Sequence, residues 1–148
     1  MPSDNLKAYS ETCGNLRHYS NASFAVRAAS VLQGFAILIP WANAVTQKAP
    51  NTPYVLSLPI AGIFFTFLLY RFHRSYYRAA GFFYEQAARM ERKLFDEGFW
   101  PMDAYTIHHE KLYSRLVSRL FTLDAPFVLI GTFFVAAFVI SLIVIAPK

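Results

Sequence analysis

The densest group of residues that could carry chemistry in this chain is His108-His109-Glu110. Successive residues on a helix point about 100° apart, so two adjacent histidines cannot hold one metal ion as an i, i+4 pair would. His18 and His73 are isolated, Cys13 is the single cysteine, and no HExxH, CxxC, GxSxG or glycine-rich phosphate motif is present. We therefore expect no catalytic residue, no metal site and no cofactor, and we predict that the protein is not an enzyme.

Three apolar stretches decide the fold class. The run from Pro126 to Ile145 contains twenty residues without a charge, and shorter apolar runs occupy 30–45 and 55–70. A bilayer core about 30 Å thick needs about 20 apolar helical residues to cross it. Buried helices of a soluble domain are the alternative, but three such runs in 148 residues are hard to bury. The sequence predicts an all-α integral membrane protein with three transmembrane helices.

The basic residues indicate which segments face the cytoplasm. Nine of the 14 Lys and Arg residues lie between Arg71 and Asp124, whereas the turn at 46–53 contains only Lys48. The positive-inside rule then places the amino terminus and the 72–124 region in the cytoplasm of a bacterial inner membrane, with the carboxyl terminus in the periplasm. The predicted order is a cytoplasmic segment at 1–23, a first span at 24–45, an external turn at 46–53, a second span at 54–71, a cytoplasmic helical hairpin at 72–124 and a third span at 126–146. Since topology explains the basic excess, we expect no nucleic-acid partner.

The hairpin is predicted to consist of two helices. The first continues the second span, so that Pro53–Asp96 forms one long helix, capped by Asn51 or Thr52. An 11-residue repeat, illustrated by Phe72, Phe83 and Leu94, marks its apolar stripe, and Glu85, Arg89 and Glu91 lie off that stripe. The second helix, about 104–121, carries Arg115 and Arg119 on a basic face opposite its apolar face. We expect this amphipathic helix to pack on the first one as a hairpin, and the alternative is that it lies on anionic lipid headgroups. In the first span, the helical pattern is expected to begin near Asn21, and Pro40 is expected to kink or end it.

Small and polar residues inside the spans are candidate contact positions. Gln33 lies in the middle of the first span and must face another helix or a water-filled lumen, because an unsatisfied amide in hydrocarbon is costly. Small residues at four-residue spacing, including Thr132 and Ala136, allow helices to approach closely. The predicted residues for span packing or a lumen are Gln33, Gly34, Gly62, Thr66, Ala137 and Ser141. The predicted residues for cytoplasmic interaction are Phe72, Tyr76, Phe83, Met90, Leu94, Arg115 and Arg119. A ligand cage built from the aromatics around residue 76 is an alternative to interfacial anchoring and helix packing.

The segment Leu16-Arg17-His18-Tyr19-Ser20-Asn21-Ala22-Ser23-Phe24-Ala25 enters the first span. Together with a tight turn and a long charged helix that leaves the second span, it resembles small bacterial membrane proteins of the SLATT family. The resemblance covers about residues 10–97, and the third span departs from the family's two-span pattern. Members of that family are predicted membrane effectors of nucleotide-triggered or other anti-phage defence systems. The resemblance implies a class of function and assigns no ligand-binding residue.

The expected function is therefore that of a homo-oligomeric, pore-forming inner-membrane effector of antiviral defence. It would perturb membrane integrity when a cytoplasmic partner protein or small signalling molecule acts on the 72–124 region. One chain with three spans cannot enclose a pore, so conduction requires several copies in contact with membrane lipid. The alternative is a membrane adaptor or sensor that conducts nothing and recruits a cytoplasmic partner.

Overall fold

The computed structural model describes residues 2–47, 51–94 and 124–145. Within these ranges the chain forms three helices, α1 (Pro2–Val45), α2 (Thr52–Leu94) and α3 (Ala125–Ile145). Each of them contains a stretch that is long and apolar enough to cross a membrane. The prediction of an all-α protein with three potential membrane spans is confirmed for the described residues. The predicted helix at 104–121, with Arg115 and Arg119, lies outside them.

Helix α1 is longer than the sequence pattern predicted. It begins at Pro2, with Asp4 in the first turn where a negative charge favours the helix dipole. The predicted start near Asn21 was wrong, because the first 23 residues show no apolar periodicity even though one face of them is packed. That face includes Thr12 and Ser23, both buried, whose side chains carry hydroxyl groups. Pro40 lies inside the helix and does not end it, since α1 continues to Val45.

Helix α2 begins at a capping residue. The Asn51 Oδ1 atom accepts a hydrogen bond from the Tyr54 N–H over 3.4 Å, and the Asn51 carbonyl accepts one from the Val55 N–H over 3.0 Å. Pro53 lies in the first turn, where the N–H that proline lacks would have no acceptor within the helix. From there α2 runs unbroken to Leu94, with Pro59 inside it. The predicted long helix is confirmed over this range.

On α2 and α3, buried residues recur at a seven-residue spacing. The buried residues of α3 are Phe127, Ile130, Phe134, Ala137 and Ser141. On α2, the buried residues at this spacing are Pro59, Thr66, His73 and Ala87. Alternating steps of three and four residues are the packing period of left-handed coiled coils. The 11-residue stripe predicted for α2 agrees with this packing in part. Ala87 is buried and Phe83, Met90 and Leu94 are half-buried. Phe72 departs from it, since it is 55% exposed, and Glu91 is buried although it was placed off the stripe.

The chain forms two compact units. The first, which we call the polar unit, contains the described residues 2–24 and 73–94. The second, the span unit, contains the described residues 25–47, 51–72 and 124–145, so that α1 and α2 contribute to both units and α3 to the second. Among the described residues, the large apolar side chains exposed on the surface lie in the span unit, except for Leu6, Phe24 and Phe82. This distribution is the one a lipid environment favours.

Candidate functional site

A polar contact joins α1 and α2 inside the span unit. The Gln33 Nε2 atom donates a hydrogen bond to the Gly62 carbonyl over 3.5 Å, and the Thr66 hydroxyl donates one to Gln33 Oε1 over 3.4 Å. Both distances are long for hydrogen bonds, so each bond is weak. Thr66 is buried, and Gln33 is half-buried. The sequence left open whether Gln33 faces a helix or a lumen. In this structure both the amide nitrogen and the amide oxygen of Gln33 form hydrogen bonds with α2 of the same chain.

Two glycines allow α3 to approach the other helices. A Cβ atom added to Gly62 would overlap the ring of Phe134, whose side chain is fully buried. A Cβ atom added to Gly34 would lie 3.2 Å from Ile130 Cγ2, which is a tight contact. In lipid the hydrophobic effect does not favour burial of one apolar face over another, so helices associate through close backbone approach at small residues. Gly62 and Gly34 are therefore packing positions within the chain.

Ser141 connects all three helices of the span unit. Its hydroxyl oxygen accepts a hydrogen bond from Trp41 Nε1 of α1 over 2.9 Å. Its own proton can go to the Ala137 carbonyl at 2.8 Å or to the Val55 carbonyl of α2 at 3.4 Å. Ser141 is fully buried, so these bonds form away from lipid. The geometry fixes the end of α3 against α1 and α2.

The structure thus places all six residues predicted for span packing or a lumen in the interior of one chain. The residues with buried positions are Gly34, Gly62, Thr66, Ala137 and Ser141, and Gln33 is half-buried. Their polar atoms meet partners from the same copy. A second copy would have to touch other residues, unless the span unit rearranges.

The residues predicted for cytoplasmic interaction divide into two groups. In the polar unit, Tyr19 of α1 stacks on Phe83 of α2, with ring centroids 5.4 Å apart and an angle of 11° between the rings, and it also lies 6.3 Å from Tyr76. The Thr12 hydroxyl lies 3.8 Å from Met90 Sδ, and Leu94 is half-buried. Phe72 belongs to the span unit and is exposed. Tyr76, Phe83 and Met90 therefore contact α1 in the same chain, where Tyr19 and Phe83 stack directly on each other.

The sequence pattern missed a buried pair in the polar unit. Tyr9 Oη donates a hydrogen bond to Glu91 Oε1 over 2.5 Å, and only 4% of Glu91 is exposed. This bond, followed by burial and a hydrogen bond with Cys13, raises the pKa of Tyr9 well above its usual range. The phenol therefore stays protonated at cellular pH and remains the donor. No local pattern in the sequence signals this pair, because its two residues lie 82 positions apart.

A second buried polar pair joins Ser23 and His73. The Ser23 hydroxyl and His73 Nδ1 lie 2.9 Å apart, and both residues are buried. His73 thus lies on a packed face of α2. Among the described residues no group of three His, Cys, Asp or Glu side chains is arranged to hold a metal ion. His108, His109 and Glu110 lie outside the described residues.

The fold and these contacts define a class of protein: a helical chain with three potential membrane spans, whose polar span residues bond within the chain. No family model, no curated protein and no solved structure matches the chain.

Proposed function

We propose that the protein is an oligomeric effector of the bacterial inner membrane, which perturbs membrane integrity on a cytoplasmic signal in anti-phage defence. The observation that carries the proposal is that α1 and α2 are both continuous helices which contribute to the polar unit and to the span unit. A change in the contacts of residues 2–24 with residues 73–94 acts on the same two helices that supply two spans. The resemblance of residues 16–25 to SLATT proteins is the reason for proposing a role in defence.

The interior contacts of the span unit support an oligomer. Gln33, Thr66 and Ser141 form hydrogen bonds within one chain, so a single copy in this state presents no polar path along these residues. A conducting state then needs several copies. Such copies would meet through outward faces, and Thr132 and Ala136 are small residues four apart on the exposed side of α3.

The neighbouring residues Ala136 and Ala137 give a matched test of this arrangement. Ala136 is exposed and Ala137 is 2% exposed. The same change to Leu therefore alters the outward face of α3 at 136 and the packing inside the chain at 137. We expect Ala136→Leu to weaken association about tenfold, since loss of about 1.4 kcal/mol of packing suffices. We expect Ala137→Leu to lower the free energy of unfolding by about 1–3 kcal/mol. Native mass spectrometry reports copy number, and unfolding in SDS reports stability. An unchanged copy number for Ala136→Leu would exclude this face of α3 as the contact.

The proposed topology is tested by cysteine labelling in intact cells. In a Cys13→Ser background, Gln47→Cys lies in the turn after α1, and Arg89→Cys lies on the exposed side of α2. With an impermeant thiol reagent, we expect labelling at 47 from outside and labelling at 89 only after the cells are permeabilised. Labelling of position 89 in intact cells would contradict a cytoplasmic polar unit.

Membrane perturbation is tested in cells by induced expression with a potential-sensitive dye. We expect the wild-type protein to collapse the membrane potential and arrest growth, and Ala136→Leu to do so less at equal protein level. If growth stops while the potential persists, the adaptor function is favoured. A pull-down with the full chain would then identify the recruited protein.

A further inference from the structure

Glu91 is a buried carboxylate with a hydrogen-bond partner on one of its two oxygens. Oε1 accepts the Tyr9 hydroxyl, whereas Oε2 is buried and has no hydrogen-bond partner among the described residues. One helical turn before Glu91 on α2, the buried residues Ala87 and Ala88 are small and apolar. The carboxylate therefore lies in a place that hydrates it poorly.

The hydroxyl groups of the facing helix do not remedy this. Thr12, which contacts the adjacent Met90, donates its proton to the Ala8 carbonyl over 2.9 Å. Tyr9 has one proton, and it is used on Oε1. A buried acceptor without a partner forfeits the free energy of its lost hydration, and a half-satisfied polar pair is often less stable than an apolar pair of similar volume.

We propose that the buried Glu91 makes the pairing of residues 8–16 with residues 84–94 only marginally stable. A small change in free energy then separates the two segments, so that the polar unit works as a release switch. Separation of the two segments hydrates Oε2 and so removes the free-energy cost of its lost hydration. The Tyr9 hydrogen bond and the neighbouring stack of Tyr19 on Phe83 keep the segments together. The connection of this opening to membrane activity rests on the proposed function. The opening itself does not, because it is a property of the helix pair.

The test is hydrogen–deuterium exchange of the full chain in detergent micelles, followed at residues 8–16 and 84–94. Replacing both partners, in Tyr9→Phe with Glu91→Leu, fills the same space without a buried charge. We expect exchange in both segments to become about tenfold slower than in the wild type, which corresponds to about 1.4 kcal/mol. Tyr9→Phe alone removes the donor to Oε1, so that neither carboxylate oxygen has a hydrogen-bond donor in the described part of the chain, and we expect faster exchange.

Glu85→Leu is the matched control, because Glu85 lies on the same helix with 66% of its side chain exposed. We expect its exchange to stay within about twofold of the wild type, since exposed charges contribute little. Faster exchange in the double variant would show that the pair stabilises the closed state and would overturn the proposal, as would unchanged exchange in Tyr9→Phe. Slow exchange in the double variant without loss of membrane activity would leave the switch in place and count against the proposed function alone.

Discussion

Gly62→Ala is expected to destabilise the protein strongly, although it adds a single methyl group. A Cβ atom at position 62 would overlap the Phe134 ring, and that ring is fully buried, so it has no room to move away. Overpacking of this kind costs about 1–3 kcal/mol, and we expect a loss of about 2 kcal/mol in the free energy of unfolding. The measurement is SDS-driven unfolding in mild detergent, followed by circular dichroism.

Gly81→Ala is the matched control for this change. It makes the same substitution on the same helix, at a position where a Cβ atom would meet nothing within 4 Å. There the change should stabilise α2 by about 0.5–1 kcal/mol, because glycine is a poor helix former. Combining Gly62→Ala with Phe134→Leu should recover part of the loss. Equal stability of the two glycine variants would mean that α2 and α3 do not approach each other at Gly62.

Phe134→Ala is the second change with a large expected effect. Phe134 is the largest fully buried side chain of α3, and its removal leaves a cavity opposite Gly62. In soluble proteins such a change costs about 3–5 kcal/mol, part of which is transfer from water. In lipid the packing contribution remains, so we expect a loss of about 2 kcal/mol.

The neighbouring Phe133 provides the control, because it is 53% exposed. Phe133→Ala removes the same ring from an outward face, where lipid replaces the lost contacts. We expect a change below about 0.5 kcal/mol in the same unfolding assay. Equal losses for Phe133→Ala and Phe134→Ala would contradict the seven-residue core spacing of α3.

The spans and the long α2 helix were predictable from the sequence because length and apolar content determine them. The charge-free run at 126–145 and the Asn51 cap required no knowledge of packing. The buried faces were not predictable in this way. Where lipid surrounds a helix, an outward phenylalanine such as Phe64 costs nothing, so hydrophobicity does not mark the side that packs.

The inner positions carry small or polar residues instead. Gly62, Thr66 and Ser141 were identified because small residues at four-residue spacing let helices approach closely, and the structure places all three inside the chain. Tyr9 and Glu91 were missed because a tyrosine and a glutamate in a charged segment are ordinarily solvated. Their pairing joins residues 82 positions apart, and no local pattern reports such a contact.

The most direct test of the proposed function is ion release from liposomes that contain the purified protein. Liposomes loaded with potassium should lose it as the protein-to-lipid ratio rises. Tyr9→Phe should release it faster than the wild type, because loss of the Tyr9 hydrogen bond favours opening of the polar unit. Ala136→Leu should release it more slowly at equal protein content, because fewer copies assemble. Vesicles that retain their potassium at every ratio, with the wild type and with Tyr9→Phe alike, would contradict a membrane-perturbing effector.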